Sequence, residues 1–471
     1  MAETNTRAPQ RLGRREILQA GALSLLGLSE SQLARLRAAE PETPANAKRR
    51  RNSCVFLFLF GGPSQIDLWD MKPQAPVEIR GDFSPIATNV PGIHVCEHLP
   101  RFAQQLDKLC LVRSMAHNMN VHGPACSEIF SGRPYQSAPI TDQALPDDWP
   151  SLSAMTMRYG AAGSGLPSSI VLPWYLQFPG QSKAIAGQTG GRMGERHSAL
   201  LVRGDSASNE FQLSGFELTE SLPTERLDYR RDLLHRLRDV PLAGGIRGKI
   251  PEAIERHRES AHSLLRSRAG ETFDLRREPN TIRDAYGRTM VGQSLLMARR
   301  LVEAGVSLVT VNWEDETKIS GTNTCWDTHE DNFNKLKTLL CPIFDQAFPA
   351  FIADLDARGL LETTLVVAVG EFGRTPRLGQ FTQSSNTRKT GRDHWPGAFT
   401  AILAGGGIRG GQVYGATDRH AAFVADNPVS PADLTTTILH HLGVNPSYEY
   451  LSETQGLQHR LSEGRILREL S

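Results

Sequence analysis

The run Thr364-Leu365-Val366-Val367-Ala368-Val369, followed by Gly370-Glu371-Phe372-Gly373-Arg374-Thr375-Pro376, decides how the rest of the chain is read. Leu365 to Val369 is apolar, rich in β-branched residues and too short for a helix, so it reads as a buried strand. It stops at a carboxylate set between two glycines. Open α/β sheets bind ligands outside the carboxyl ends of their strands, which puts Glu371 at a candidate site. A polar loop leads to Gly391-Arg392-Asp393-His394-Trp395-Pro396, where Asp393 and His394 offer adjacent oxygen and nitrogen donors. Upstream, the apolar strand Val306 to Val311 runs towards Trp326-Asp327-Thr328-His329. Two strand–loop units each deliver an acid and a histidine, the composition of a nitrogen/oxygen metal site.

The same pattern recurs elsewhere. Cys54 to Phe60 is a strand that enters Gly61-Gly62-Pro63-Ser64-Gln65-Ile66-Asp67, with Asp70 beyond. Leu109 to Met115 is another, followed by Ala116-His117-Asn118-Met119-Asn120-Val121-His122-Gly123-Pro124. Ser168 to Leu172 and Ala398 to Ala404 complete the strands. Helices are predicted near His98–Leu106, Ala125–Phe130, Glu225–Arg238, Pro251–Arg268, Thr281–Ala304, Asn332–Arg358 and Pro431–Leu442. The last has proline at its start and Gly443 at its end. Phe178 to Gly215 has little periodicity and reads as a long surface loop, with Gly187 to Gly191 able to cover the site. Strand and helix alternate throughout. The expected fold is α/β: one large domain with a doubly wound, mainly parallel sheet flanked by helices.

The chain has 471 residues and a net charge of +1, which suggests no nucleic-acid partner. No apolar run reaches the ~20 residues that span a bilayer. Arg7, Arg11, Arg14 and Arg15 precede an apolar run from Ala20 to Leu28, and Gly13-Arg14-Arg15-Glu16-Ile17-Leu18-Gln19 resembles a twin-arginine export signal. The alternative is an ordinary amphipathic N-terminal helix. Residues 1–39 are read as the signal, 40–53 as a linker and 54–471 as the domain, which implies a periplasmic or envelope location. The six cysteines form no CxxC pair. Disulfides are permitted in an exported chain, and buried free thiols are equally compatible.

Phe-Leu-Phe-Gly-Gly-Pro-Ser-Gln, Trp-Asp-Thr-His, Gly-Glu-Phe-Gly-Arg-Thr-Pro, Gly-Arg-Asp-His-Trp-Pro and Ala-Gly-Gly-Gly-Ile-Arg-Gly-Gly resemble the DUF1501 family of exported bacterial proteins, which has no settled activity. That family is similar to the alkaline phosphatase and sulfatase superfamily. The resemblance implies an α/β/α sandwich with a metal site at the carboxyl edge of the sheet. Glu371 stands where the superfamily has a metal-binding Asp, but its neighbour Phe372 cannot ligate. Asp327 and His329 resemble an earlier Asp/His pair, and His394 a late His ligand. Gly61-Gly62 occupies the place of a ligating Asp, for which Asp67 is a substitute. Aligning Pro124 and Ser131-Gly132 with the sulfatase nucleophile loop puts His122 at the nucleophile and Cys126 at an arginine.

From these residues come the functional expectations. Asp327, His329, Glu371, Asp393 and His394 are the metal ligands, for one or two divalent cations. Zn, Mn or Fe suits them better than Ca. His122 is the catalytic candidate, as a nucleophile through a phosphohistidine-like intermediate, with a metal ligand or no role at all as the alternatives. Arg374, Arg392 and His117 are substrate-binding candidates, with Arg133 a further arginine able to hold an oxyanion. The leading reading is an exported metal-dependent hydrolase of phosphate or sulfate esters, of small molecules or polysaccharides, delivered by the twin-arginine machinery. The alternatives are a metal- or ligand-binding protein that has lost its nucleophile, and an envelope-assembly protein with no metal.

Overall fold

The computed structural model describes residues 51–136, 140–161, 165–178, 181–204, 224–238, 269–314, 325–382 and 388–471. The export segment, most of the linker and the helix expected near Pro251–Arg268 lie outside the described residues.

Eight strands make one sheet. They are β1 Ser53–Leu59, β2 Leu109–Met115, β3 Ser169–Leu172, β4 Leu200–Leu201, β5 Leu308–Trp313, β6 Thr364–Val369, β7 Phe399–Ala404 and β8 Gln412–Tyr414. Their spatial order is β8-β2-β7-β6-β1-β5-β3-β4. β1 is central and parallel to both neighbours, pairing Cys54 with Leu308 on one side and with Leu365 on the other. β7 alone runs antiparallel, against β2 and β6. The fold is therefore α/β with a mixed, mainly parallel sheet.

β1 carries no polar alternation because both its faces are covered. Its odd residues Val55, Leu57 and Leu59 join one core. Helices α3 Met290–Glu303 and α4 Asn332–Ala357 supply Leu295, Leu296, Phe344 and Phe348 to that core. Its even residues Cys54, Phe56 and Phe58 join a second core on the opposite face. There α1 His122–Ser131, α2 Leu152–Tyr159 and α5 Pro431–His441 supply Ile129, Phe130, Met155 and Ile438. Among the described residues α4 is the one helix long and apolar enough to cross a membrane. Here it buries Phe344, Phe348, Phe351 and Ile352 against the sheet.

Local chemistry sets the helix ends. The Ser430 and Asp433 side chains form a reciprocal capping box at the start of α5, with Pro431 in its first turn. α1 stops at Gly132, whose φ of 66° lets its N–H reach the Glu128 carbonyl at 2.8 Å. The helix expected over Thr281–Ala304 is two helices, Asn280–Ala285 and α3, parted by Gly287 at φ 82°. The one near His98 shrinks to Pro100–Ala103 and a 3-10 turn, Leu106–Lys108. α2, capped by Ser151, falls where no helix was expected.

The expected surface loop from Phe178 is corrected within its described part. Ile185, Gln188 and Met193 are buried. The Gln188 amide accepts from the Leu176 N–H at 2.8 Å and donates to the Leu176 and Ile185 carbonyls at 3.1 and 2.9 Å. That side chain satisfies backbone groups that would otherwise need water, so the segment can tuck against α1. All six cysteines are free thiols.

α1 and α5 meet closely at Gly132. A Cβ there would lie 2.5 Å from Thr435 Oγ1, at a backbone angle that L-residues resist. Gly132→Ala is expected to lower unfolding free energy by roughly 2–4 kcal/mol, from left-handed strain plus overpacking. Denaturant titration tests this, and a loss under about 1 kcal/mol would show a soft contact.

Candidate metal centre

The carboxyl ends of β1, β5 and β6 build the site. β1 leads into Gly61, whose φ is 107° and whose Cβ, if it had one, would lie 2.3 Å from the Asp327 nitrogen. Only glycine lets the loop after β5 approach this closely. At the end of β6, Glu371 is fully buried and accepts from the Gly61 N–H at 2.9 and 3.1 Å. A two-residue ribbon pairs Gly373–Arg374 with His394–Trp395, setting His394 opposite Arg374. The loop after β2 brings His117, Asn120 and His122.

Four side chains converge: His122, Asp327, His329 and His394, with one donor atom each, all within 4.8 Å of one another. His329 Nε2 is 3.0 Å from His394 Nε2. Asp327 Oδ1 lies 2.9 Å from His329 Nε2 and 3.1 Å from His394 Nε2, and Oδ2 lies 3.5 Å from His122 Nε2. The cluster reaches the surface, with Asp327 28% and His394 2% exposed at its outer and inner ends.

Each imidazole faces the cluster with Nε2 because something behind it holds Nδ1. His122 Nδ1 is 2.6 Å from Glu371 Oε1. His394 Nδ1 is 2.7 Å from the Asn120 carbonyl, which can only accept. His329 Nδ1 is 3.5 Å from Asp393 Oδ1. With Nδ1 turned to these groups, the three Nε2 atoms point at a common place. Arg374 Nη2 donates to Asp327 Oδ1 at 2.5 Å.

The carboxylates favour positive charge on one ring of the cluster, His122. Burial opposes a charge on His122, but the Asp327 and Glu371 carboxylates outweigh it and hold that ring up to about 9. Burial and the charge on His122 push His394 down to about 3, against the pull of Asp327. Burial would raise Asp327, but Arg374, His122 and His329 keep it well below the usual carboxylate range.

Several expectations change place. Glu371 and Asp393 are not in the converging set. Glu371 stands behind His122, and Asp393 caps its own turn, accepting from the Thr382 and His394 N–H groups at 2.8 Å each. Arg392 and Asp67 are fully buried and locked together through two contacts of 2.8 Å. Asp67 also accepts from Ser64 at 2.6 Å and Asn332 at 2.9 Å, so it does not replace a ligand. Arg374, fully buried, spends its guanidinium on Asp327 and the Gly61, Gly62 and Arg392 carbonyls. Arg133 pairs with Glu463 at 2.5 Å. His117 braces the backbone: its Nε2 donates to the Glu371 carbonyl at 2.5 Å, while Nδ1 accepts from the Met119 N–H at 3.0 Å. His122 joins the converging set, ringed by Phe60, Phe372 and Phe178 at 5.1, 5.2 and 5.7 Å between ring centres. It is Phe178, and not the stretch from Gly187, that reaches the cluster. The parts of Asn120 and Phe178 left no mark in the sequence, since one acts through a carbonyl and the other is an ordinary loop aromatic.

Fold and site together define a class: a doubly wound α/β protein with a histidine–carboxylate cluster at the carboxyl edge of its sheet. Within that class the chain belongs to the DUF1501 family, described as proteins of unknown function, which it matches over residues 51–471. No curated protein matches it. Among solved structures it is similar to the PsFucS1 sulfatase from Pseudoalteromonas sp., at 13% identity over 85% of this chain and 69% of that one, TM-score 0.35. It is also similar to the phosphonate monoester hydrolase of Agrobacterium radiobacter, at 10% identity over 88% and 76%, TM-score 0.39. A third is Ps i-CgsB in complex with k-i-k-neocarrahexaose, at 10% over 88% and 75%, TM-score 0.39.

His117 gives the fold an acid limb. Burial pushes it down to about 4, against the Glu371 carbonyl that favours its charged form. The unfolded chain therefore binds a proton below about 6.5 that the native state refuses until about 4. The stability this neutral ring confers is complete above that upper value. It is lost as pH falls through the window, by about 3 kcal/mol in all. His117→Gln keeps a donor for the Glu371 carbonyl and removes the titration. Denaturant unfolding from pH 7 to pH 4 is expected to show a shallower loss in this variant, and parallel curves would refute the assignment.

Proposed function

We propose that this protein is a divalent-metal-dependent hydrolase of phosphate or sulfate esters, with His122, Asp327, His329 and His394 holding one cation. The observation that carries the reading is the convergence of three Nε2 atoms and one carboxylate, each imidazole braced from behind. The fit is chemical as well as geometric: the rings turn Nε2 to the centre, and a bound cation would displace the proton that the Asp327 and Glu371 carboxylates favour on His122. Three nitrogens and one oxygen suit Zn, Mn or Fe better than Ca. A cation bound there would supply Lewis acidity to an ester oxygen.

The chain's own residues do the rest. Arg374 fixes Asp327, Glu371 fixes His122, and Asp393 and the Asn120 carbonyl fix the other two rings. Phe60, Phe372 and Phe178 close one side to solvent. The nearby Cys126 thiol is buried and pushed well above its ordinary value, so it supplies no thiolate. His122 has one nitrogen on Glu371 and the other in the cluster. Hydrolysis would then be direct: a water oxygen bonds to phosphorus or sulfur as the bond to the alcohol oxygen breaks, and the water's proton leaves with the alcohol, with no covalent intermediate on the chain.

A second reading, a metal- or ligand-binding protein without turnover, draws support from the sealing of Arg374 and Arg392. Both buried guanidinium groups are consumed by the frame, leaving neither to neutralise an ester anion.

Elemental analysis of native protein, followed by an aryl phosphate and sulfate panel, tests both readings. About one equivalent of transition metal is expected. His394→Ala and Asp327→Ala should each strip it and lower the melting temperature. Glu371→Gln should weaken metal binding about 10- to 100-fold while leaving the ligands in place. Metal without turnover would decide for the second reading. Native protein free of metal would sink the first reading and leave the second only as a ligand-binding protein.

We also propose that residues 1–39 direct export through the twin-arginine machinery to the periplasm or envelope. Replacing Arg14 and Arg15 together by lysine is expected to retain the protein in the cytoplasm. Fractionation that shows unchanged export would refute this.

A further inference from the structure

The charge held around the cluster separates the esters it can take. Three carboxylates stand at the converging atoms or directly behind them. Asp327 is itself one of the four donors. Glu371 Oε1 is 2.6 Å from His122 Nδ1, and Asp393 Oδ1 is 3.5 Å from His329 Nδ1. Glu371 and Asp393 are fully buried, so salt screens them little. Against them stands Arg374, which reaches Asp327 Oδ1 at 2.5 Å and whose charge is also felt at His394. Arg392, the other buried arginine of these loops, is matched by Asp67 across two contacts of 2.8 Å. Further out, the Asp142 and Glu314 carboxylates act with Glu371 on the Cys126 thiol. Among the described residues, a divalent cation and Arg374 thus set three positive charges against the carboxylates of Asp327, Glu371 and Asp393. The loaded centre is close to neutral.

A near-neutral centre is not indifferent to its ligand. The cost of taking an ion out of water grows with the square of its charge, while its attraction to a site grows only in proportion. A second negative charge on the ligand therefore costs more than this centre returns. Sulfate monoesters and phosphate diesters carry one negative charge. A phosphate monoester carries two once the pH is above about 6.

We propose that this centre selects singly charged esters, sulfate monoesters or phosphate diesters, over doubly charged phosphate monoesters. The selection rests on the hydrolase reading for turnover, and on Asp327, Glu371 and Asp393 for its direction.

The test uses full-length protein loaded with Zn or Mn. Two probes of one shape that contain no ester bond, benzenesulfonate with one charge and phenylphosphonate with two, are titrated by calorimetry at pH 8. Benzenesulfonate is expected to bind about tenfold tighter. In steady-state kinetics, KM for 4-nitrophenyl phosphate should exceed that for 4-nitrophenyl sulfate about tenfold at pH 8, and the ratio should fall as pH drops through about 6 and the phosphate takes up a proton. Taking the ratio at each pH cancels titration of the protein. Asp393→Asn keeps an acceptor oxygen in its turn and removes one charge, so the preference between the probes should shrink to about threefold. Metal content is measured alongside, and where this variant loses metal the parent's probe ratio decides. If esters turn over and phenylphosphonate binds as tightly as benzenesulfonate, the selection is wrong and the hydrolase reading survives. If the probes show the preference but no ester turns over, the hydrolase reading falls and the selection stands. A preference unchanged in metal-loaded Asp393→Asn overturns the selection, as does a parent that binds neither probe and shows no KM difference.

Discussion

The fully buried Glu371 carboxylate holds the site together. Taking an ionised carboxylate out of water costs several kcal/mol unless strong donors replace it. Here the donors are the Gly61 N–H at the end of β1 and the His122 ring at the start of α1. Its own carbonyl takes the His117 ring. One residue thus ties the end of β6 to the end of β1 and to both ends of the loop after β2. The other placements follow. Gly61 must be glycine to admit Asp327, and Asp327 must be admitted to meet three imidazoles. Loss of the Glu371 charge would free His122 Nδ1 and leave the Gly61 N–H short of its acceptor.

Much of this was legible in the letters, for definite reasons. A strand buried on both faces has to be mostly apolar, so β1, β2, β6 and β7 announced themselves within a residue or two of their bounds. Donors placed just after such runs must lie at one sheet edge, which is why Asp327, His329 and His394 could be drawn together across 67 residues of chain. Which carboxylate touches the centre and which stands behind a ring could not be read. That division depends on imidazole orientation, and orientation depends on acceptors such as the Asn120 carbonyl. Asp67 and Arg392 were equally opaque. They are 325 positions apart, and nothing local to either foretells the other. The tucked segment around Gln188 was misread for a related reason: one side chain does there the bonding that a helix or strand would have advertised by its period.

The arginines divide by depth. Arg374 and Arg392 have no exposure and point almost wholly at carbonyls and carboxylates of the frame. A guanidinium carries five donors in fixed geometry, so a buried one can satisfy several loop carbonyls that lie outside any ladder. The motifs around Gly373-Arg374 and Gly391-Arg392 are therefore motifs of construction as much as of chemistry. They hold irregular backbone against the carboxyl edge of the sheet, where no strand pairing is left to satisfy it.

His122 shows how far geometry can revise a motif. It begins α1, where a helix end disfavours positive charge. A nucleophile at that place would need a lone pair aimed at open space. The His122 ring has none to spare: Nδ1 is on Glu371, and Nε2 looks across at Asp327. Three phenyl rings crowd its faces, which bars the movement that attack on phosphorus or sulfur would demand. The same two constraints that disable it as a nucleophile qualify it as a ligand, since a ligand wants one nitrogen braced, one presented and a ring that cannot turn. The position aligned with a nucleophile is accordingly better understood as the fourth corner of the cluster.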